Sequence, residues 1–369
     1  MTLNNFGWLI IWMFIGGAFF SIYPLKRKEI VLGKKEERWR MASAIFLVFP
    51  YFIWAGMRSD IWGDTYYYRK IFLSAPLKIS EWASYMENIS KDKGFSYIML
   101  AIKSIAGNSD TLFFLILAAI QLGCLVYVYR KYSCNYWLSM YVFIASTDYM
   151  SWMHNGIRQF TAVTIAFFAS TLMLKKKYIP MIILILIAST IHGSALLMLP
   201  IVFIIQGEAW NKKTLLFIIA SIVALVFVDQ FTNGLDALLS DTQYTNIVSD
   251  WKSWDDDGTN PIRVLVYSIP TILSLVGLKW IKHENSPIIN MAVNASIVST
   301  ALYLVSMGTS GIFIGRLPIY VSLYATGILL PWEIDNIFTN DSARIIKIIL
   351  IALYGAFFYY QMHFGWALL

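Results

Sequence analysis

Long apolar runs, broken by short basic turns, recur from one end of this 369-residue chain to the other. Their lengths match a hydrocarbon core roughly 30 Å thick. In lipid every backbone N–H and C=O must be paired within the segment, so such runs are helices. A transmembrane barrel would alternate apolar and polar residues over about ten positions per strand, and no such alternation is present. The runs predict about twelve helices, at approximately 6–24, 41–57, 111–129, 135–150, 157–174, 178–191, 194–206, 214–231, 262–281, 287–306, 316–332 and 345–363. The expected fold is all-α, a polytopic membrane domain spanning residues 1–369.

One stretch is ambiguous. Tyr178 to Gln206 reads either as one long helix or as a short, tight pair broken at His192-Gly193. Charge arbitrates between them. With the break, the short loops on one side hold Lys26 to Arg40, Arg130-Lys131, Lys175 to Lys177, Lys212-Lys213, Lys279 with Lys282, and Arg344 with Lys347. That side then carries 18 of the 29 basic residues but only 8 of the 22 acidic ones. By the positive-inside rule this is the cytoplasmic face, and both termini lie outside. Without the break the later loops invert, so the broken reading is preferred.

Composition narrows the class further. Hydrophobic residues make up 58%, charged residues 14%, and the mean hydropathy is +0.60. A soluble domain of this size needs far more charge to cover its surface. The net charge of +7 does not point to nucleic acid, because the basic residues sit in short loops where they set topology. Cys124 lies within an apolar run and Cys134 follows a basic turn, so no disulfide framework is implied. Phe6 to Tyr23 lacks the basic start of a signal peptide and reads as a first helix.

Two segments on the outer side are longer than a connection requires. The first, 58–110, contains Trp62, Tyr66, Tyr67, Tyr68, Trp82 and Tyr85. It ends in an amphipathic stretch, Phe95, Ile98, Met99, Ile102 and Ile105, expected to lie in the interface plane. The second, 232–261, is acidic, with Asp236, Asp241, Asp250 and Asp255-Asp256-Asp257. The aspartate run reads as a solvated loop rather than a cation site. There is no internal repeat of the kind that marks many transporters.

Motifs of soluble enzymes are missing: no phosphate-binding loop, no dinucleotide fingerprint, no zinc-ligand spacing. Four histidines, at 154, 192, 283 and 363, argue against a metal centre, and no cofactor is expected. The informative residues stand at outer helix ends, where an ionisable group costs roughly 2.5–3.5 kcal/mol to insert and usually faces a cavity. Arg58-Ser-Asp60, then Gly63-Asp64-Thr65 and three tyrosines, follow the second helix. His154-Asn-Gly-Ile-Arg158-Gln159 opens the fifth, His192-Gly193-Ser194 marks the break, and Gly315-Arg316 with Tyr320 enters the eleventh.

Each has a plainer reading. Arg158 and Arg316 can snorkel to headgroups, though lysine would serve as well. His192 can be a structural turn residue, Asp60 and Asp64 ordinary loop acids, the tyrosines an aromatic belt, and Arg263 a topological charge. Taken together on one face they suit one chemistry. Two arginines can grip a diphosphate bidentately, a task for which an ammonium is a poorer match. A nearby carboxylate or imidazole can take a proton from a sugar hydroxyl.

These residues resemble a known family. Arg58-x-Asp60 with Gly63-Asp64-Thr65-x-x-Tyr68, Arg158-Gln159-x-x-Ala162, His192-x-Ser194-Ala195 and Gly315-Arg316-x-x-x-Tyr320 stand in the order of the EpsG-type, Wzy-like polysaccharide polymerases of bacterial membranes. The resemblance covers residues 58 to 320. It implies a fold related to the GT-C membrane glycosyltransferases, and a reaction at the outer leaflet of the bacterial plasma membrane. There a growing glycan passes from undecaprenyl diphosphate to the next lipid-linked repeat unit, without nucleotide or metal. In that reading the lipid-linked oligosaccharide is both donor and acceptor, and a chain-length regulator and a flippase are the expected protein partners. Arg158 and Arg316 bind the diphosphate. Asp60, Asp64 or His192 is the general base, and Arg58, Gln159, Tyr67, Tyr68, His154 and Tyr320 contact sugar or support the site. A ligase using the same donor, or a flippase for the same lipid, are the competing readings.

Overall fold

A computed structural model describes residues 3–22, 26–238 and 258–366 of the chain. It is 79% helical. The elements run α1 (Leu3–Ile22), β1 (Lys26–Val31), β2 (Lys34–Trp39), α2 (Met41–Gly56), α3 (Thr65–Ser74), α4 (Trp82–Glu87), α5 (Lys93–Ala106) and α6 (Asp110–Tyr132). Then follow α7 (Tyr136–Ala145), α8 (Asp148–His154), α9 (Ile157–Ser170), α10 (Tyr178–Ile191), α11 (Met198–Ile205), α12 (Lys212–Val226) and α13 (Val228–Leu238). The last are α14 (Pro261–Val276), α15 (Leu278–Glu284), α16 (Pro287–Met307), α17 (Ile319–Tyr324), α18 (Leu330–Ile337) and α19 (Asn340–Tyr360).

Among the described residues, five helical segments are long and apolar enough to cross a membrane: 110–132, 157–175, 287–307, 314–337 and 340–365. Two further spans arise if each bent pair counts as one. The expected helix at 214–231 is α12 and α13 meeting at 106°, and that at 262–281 is α14 and α15 meeting at 70° around Gly277. The expected helix at 135–150 breaks after Ser146, where Thr147 adopts a left-handed backbone (φ 61), and continues as α8. Lipid contact is written on the surfaces. Along 340–365 only 11% of the membrane-length window is buried, and Ile345, Ile348, Ile349, Leu353 and Phe357 are exposed. So many exposed large apolar groups on one helix need hydrocarbon as their solvent.

The helix ends are specified locally. Ser109 accepts the Leu112 N–H at the start of α6, Asp110 stands in its first turn, and Arg130 and Lys131 stand in its last, complementing the helix dipole. Asn211 caps α12 through the N–H groups of Lys213 and Thr214. Pro261 and Pro287 open α14 and α16, where the missing N–H costs nothing.

The basic segment after α1 is structured rather than a plain loop. β1 and β2 form an antiparallel hairpin with Val31 opposite Lys34 and a two-residue turn at Leu32-Gly33, both at positive φ. Tertiary contacts hold it against the helices: Glu29 pairs with Arg130, the Arg38 Nε donates to the Lys131 carbonyl at 2.9 Å, and Trp39 lies 5.4 Å from Tyr136.

The chain divides into two compact units, one running to Leu196 and resuming at Thr339, the other Leu197–Phe338. In the first, α6 packs between α2 and α9, α9 against α10, and α10 against α5. Buried Gln121 of α6 donates to Thr161 Oγ1 of α9 at 2.9 Å. In the second, α16 is the axis, packed by α11, α12, α14 and α17. Its Asn294, fully buried, donates to the carbonyls of Ile205 and Glu208 and accepts the Trp210 N–H at 3.0 Å. Asp241, Asp250 and the Asp255-Asp256-Asp257 run lie outside the described residues.

Candidate functional site

The polar residues of the first unit gather at the ends of α2, α8, α9 and α10 and on the segment that carries α3 to α5. Arg58 follows α2 directly and is buried. Its Nε donates to the Ala55 carbonyl at 2.6 Å, its Nη1 to the Met153 carbonyl at 3.1 Å, and its guanidinium lies 4.7 Å from the centre of the Phe114 ring. Burial shifts the balance against its charged form, and the neighbouring Arg69 adds to the effect. Arg69 bridges Asp60 and Asp110 and donates to the Arg58 carbonyl at 3.1 Å. Asp60 is therefore the partner of a cation rather than an open carboxylate.

Gly63 turns the chain into α3 with φ at 44, and a Cβ at this position would collide with Asn155. That close approach lets the Asn155 side-chain oxygen accept the Asp64 N–H at 3.0 Å, tying the Gly63-Asp64 turn to the α8–α9 junction. Asp64 itself is exposed. His154, at the end of α8, is buried against Trp62, with ring centroids 4.7 Å apart, and its Nδ1 contacts the Met150 carbonyl at 2.8 Å. Burial, with Arg58 nearby, holds its imidazole well below the ordinary histidine range, so it is neutral.

Arg158, in the first turn of α9, is the contrasting cation. Its Nε donates to the Tyr68 hydroxyl at 3.2 Å and its Nη1 pairs with Asp92 Oδ2 at 3.0 Å. A third of the side chain is exposed, and a guanidinium has five donors. Tyr68 is buried, which raises its phenol above the usual value and keeps it a neutral hydroxyl. Tyr67 is exposed and meets the Tyr68 ring edge-on at 5.6 Å. Gln159 is buried on the same turn of α9.

The helix break falls where expected. α10 ends at Ile191, His192 is extended (φ −152, ψ 119), and a short turn from Gly193 to Leu197 precedes α11. His192 Nδ1 lies 2.7 Å from Ser194 Oγ, and the Gly193 N–H donates to Asp92 Oδ1 at 3.3 Å. Asp92 thus connects the Arg158 motif to the His192 motif.

In the second unit Gly315 packs so closely on Thr259 that a Cβ would meet its hydroxyl at 2.6 Å, and Ser306 Oγ donates to that hydroxyl at 2.7 Å. This junction presents Arg316 at the surface, whereas Tyr320, one turn on, is wholly buried.

The first unit therefore brings together Arg58, Asp60, Asp64, Tyr67, Tyr68, His154, Arg158 and His192 through the contacts above, with Gln159 buried beside Arg158 on α9. Arg69, Asp92, Asp110 and Asn155 were not among the sequence candidates. Each resembles an ordinary loop residue, and only its distant partner reveals its part. The one available signal was the density of charge in 58–110, seven basic residues in a segment too long for a connection.

No curated protein matches the chain, and no solved structure does. The sequence profile of the EpsG family matches residues 41–366, from the start of α2 to the last described residue. The chain belongs to the EpsG family.

Proposed function

We propose that the protein is a membrane glycosyltransferase that transfers a growing glycan from undecaprenyl diphosphate onto a lipid-linked repeat unit at the extracytoplasmic face of the bacterial plasma membrane. Membership of the EpsG family supports polysaccharide polymerisation in general terms. The observation that carries the finer reading is Arg158. It is a guanidinium at a membrane-helix terminus, held at Nε by Tyr68 and at Nη1 by Asp92, with a third of its side chain exposed. Such a group suits the charge that develops on a departing diphosphate. Arg316, in the second unit, is proposed to serve phosphate as well. The distribution of basic residues supports an extracytoplasmic site, and a fold related to GT-C, with about twelve helices, goes with this proposal.

For proton transfer, Asp64 and His192 are the proposed candidates. Asp60 is the weaker choice because its carboxylate is already engaged by Arg69. Arg58 and His154 are assigned supporting roles, being buried and directed at backbone carbonyls. The test is chain extension in proteoliposomes from the producing strain's own lipid-linked repeat unit. Stepwise lengthening of the glycan with release of undecaprenyl diphosphate supports the proposal. Movement of the intact lipid across the bilayer without lengthening would identify a flippase, and transfer only to a different acceptor would identify a ligase.

A further inference from the structure

Asp92 stands where three parts of the first unit converge. Its backbone is left-handed, with φ 49 and ψ 43, immediately before α5. Among side-chain-bearing residues aspartate and asparagine tolerate that conformation best, and it persists where surroundings demand it. The side chain is only 5% exposed, and its two oxygens serve different elements. Oδ2 pairs with Arg158 Nη1 at 3.0 Å on α9, and Oδ1 accepts the Gly193 N–H at 3.3 Å beyond α10.

The next residues secure that position. A Cβ at Gly94 would lie 2.7 Å from the backbone carbonyl carbon of Thr190, so a glycine is needed for α5 to begin this close to the end of α10. Phe95 is buried and meets the Tyr68 ring edge-on at 5.8 Å. Tyr68 in turn receives the Arg158 Nε. Both groups that hold Arg158 are therefore set by the one short turn, Asp92 directly and Tyr68 through Phe95.

We propose that the Asp92–Phe95 turn is the positioning element of the site, with Asp92 setting the Arg158 guanidinium and the His192 turn relative to one another. The proposal rests on the reading of Arg158 as a phosphate ligand. Asp92 is too deeply buried to meet a ligand and acts through its partners. A charge-assisted hydrogen bond restrains a side chain that otherwise samples many rotamers. A guanidinium displaced by about 1 Å from a reacting group can cost a hundredfold in rate.

The test compares wild type, Asp92→Asn, Asp92→Gly and Arg158→Lys in nanodiscs. Asn keeps an oxygen for the Gly193 N–H and tolerates the left-handed backbone, but it removes the charge facing Arg158. Gly adopts that backbone without strain, while removing both contacts. For Asp92→Asn, the expected kcat for chain extension falls about ten- to a hundredfold, with KM changed far less. Phenylglyoxal should modify its Arg158 faster, as read by mass spectrometry, with Gly193 amide exchange unchanged. Asp92→Gly should show the same kinetic loss and also faster exchange at Gly193. Wild-type kcat together with an unchanged Arg158 modification rate in Asp92→Asn overturns the proposal, even if Arg158→Lys is inactive. Should Arg158→Lys polymerise normally, the phosphate reading is lost instead, and the modification and exchange rates still decide whether Asp92 positions its two partners.

Discussion

Arg58 and Arg158 occupy the same unit, and their surroundings differ in kind. Arg58 is 2% exposed, directed at the Ala55 and Met153 carbonyls, and lies on the face of Phe114. Arg158 is held by two side chains, Tyr68 at Nε and Asp92 at Nη1, and keeps a third of its side chain in the open. A buried guanidinium whose contacts are backbone carbonyls belongs to the fold, because removing it leaves acceptors buried and unpaired. One held by two side chains and partly open is oriented yet accessible, as the proposed contact with phosphate requires. The same residue type is thus locked into the framework in one corner and left partly open in the other.

The largest effect should come from Arg158→Lys. A lysine keeps the charge but loses the planar fork, and polymer output should drop at least a hundredfold while the membrane level of the protein stays normal. Immunoblotting beside a polysaccharide gel checks both; full-length polymer from this variant would erase the contrast with Arg58. Arg58→Ala should instead destabilise the protein, by about 2–4 kcal/mol, through lost hydrogen bonds and lost packing on Phe114. Thermal unfolding in nanodiscs reads this directly, and a wild-type melting curve would place Arg58 outside the structural framework.

A smaller loss is expected for Gly63→Ala, about 1–2 kcal/mol, because alanine resists the positive φ and its Cβ collides with Asn155. Loss of activity larger than the stability change explains would show that the Gly63–Asn155 contact also aligns Asp64. The smallest effect concerns His154. Its imidazole is depressed in the folded protein, so the unfolded chain binds the proton more readily. Stability is full above the ordinary histidine value of about 6.5 and declines as pH falls below it toward the folded value. Melting temperatures measured from pH 7.5 down to 5.5 should decline less in His154→Gln than in wild type. Parallel curves would remove His154 from the buried framework around Arg58.

The candidate site was only partly legible along the chain. Arg58, Arg158 and His192 could be singled out because a charge or imidazole at a helix terminus interrupts an apolar pattern. Asp92, Asp110 and Arg69 could not. They lie in a polar segment where charge is unremarkable, and their meaning comes from partners such as Gly193, 101 residues away. The hairpin at 26–39 escaped for a related reason: its strands are too short and too charged to announce themselves, and the contact of Glu29 with Arg130 helps hold them in place. The bends at Phe227 and Gly277 interrupt apolar runs whose composition reads as continuous helix.

What the sequence determined by itself was the solvent of each segment. Transfer of apolar side chains out of water, and the need to pair every backbone group in lipid, are set by local composition, so the helical membrane character follows from reading alone, while the break at His192 was favoured by the charges of the loops. Which arginine is locked and which is left available was decided only in three dimensions. That outcome depends on a buried ring, two carbonyls and one strained aspartate brought together from distant positions. No local property of residue 58 or 158 distinguishes them before the chain has folded.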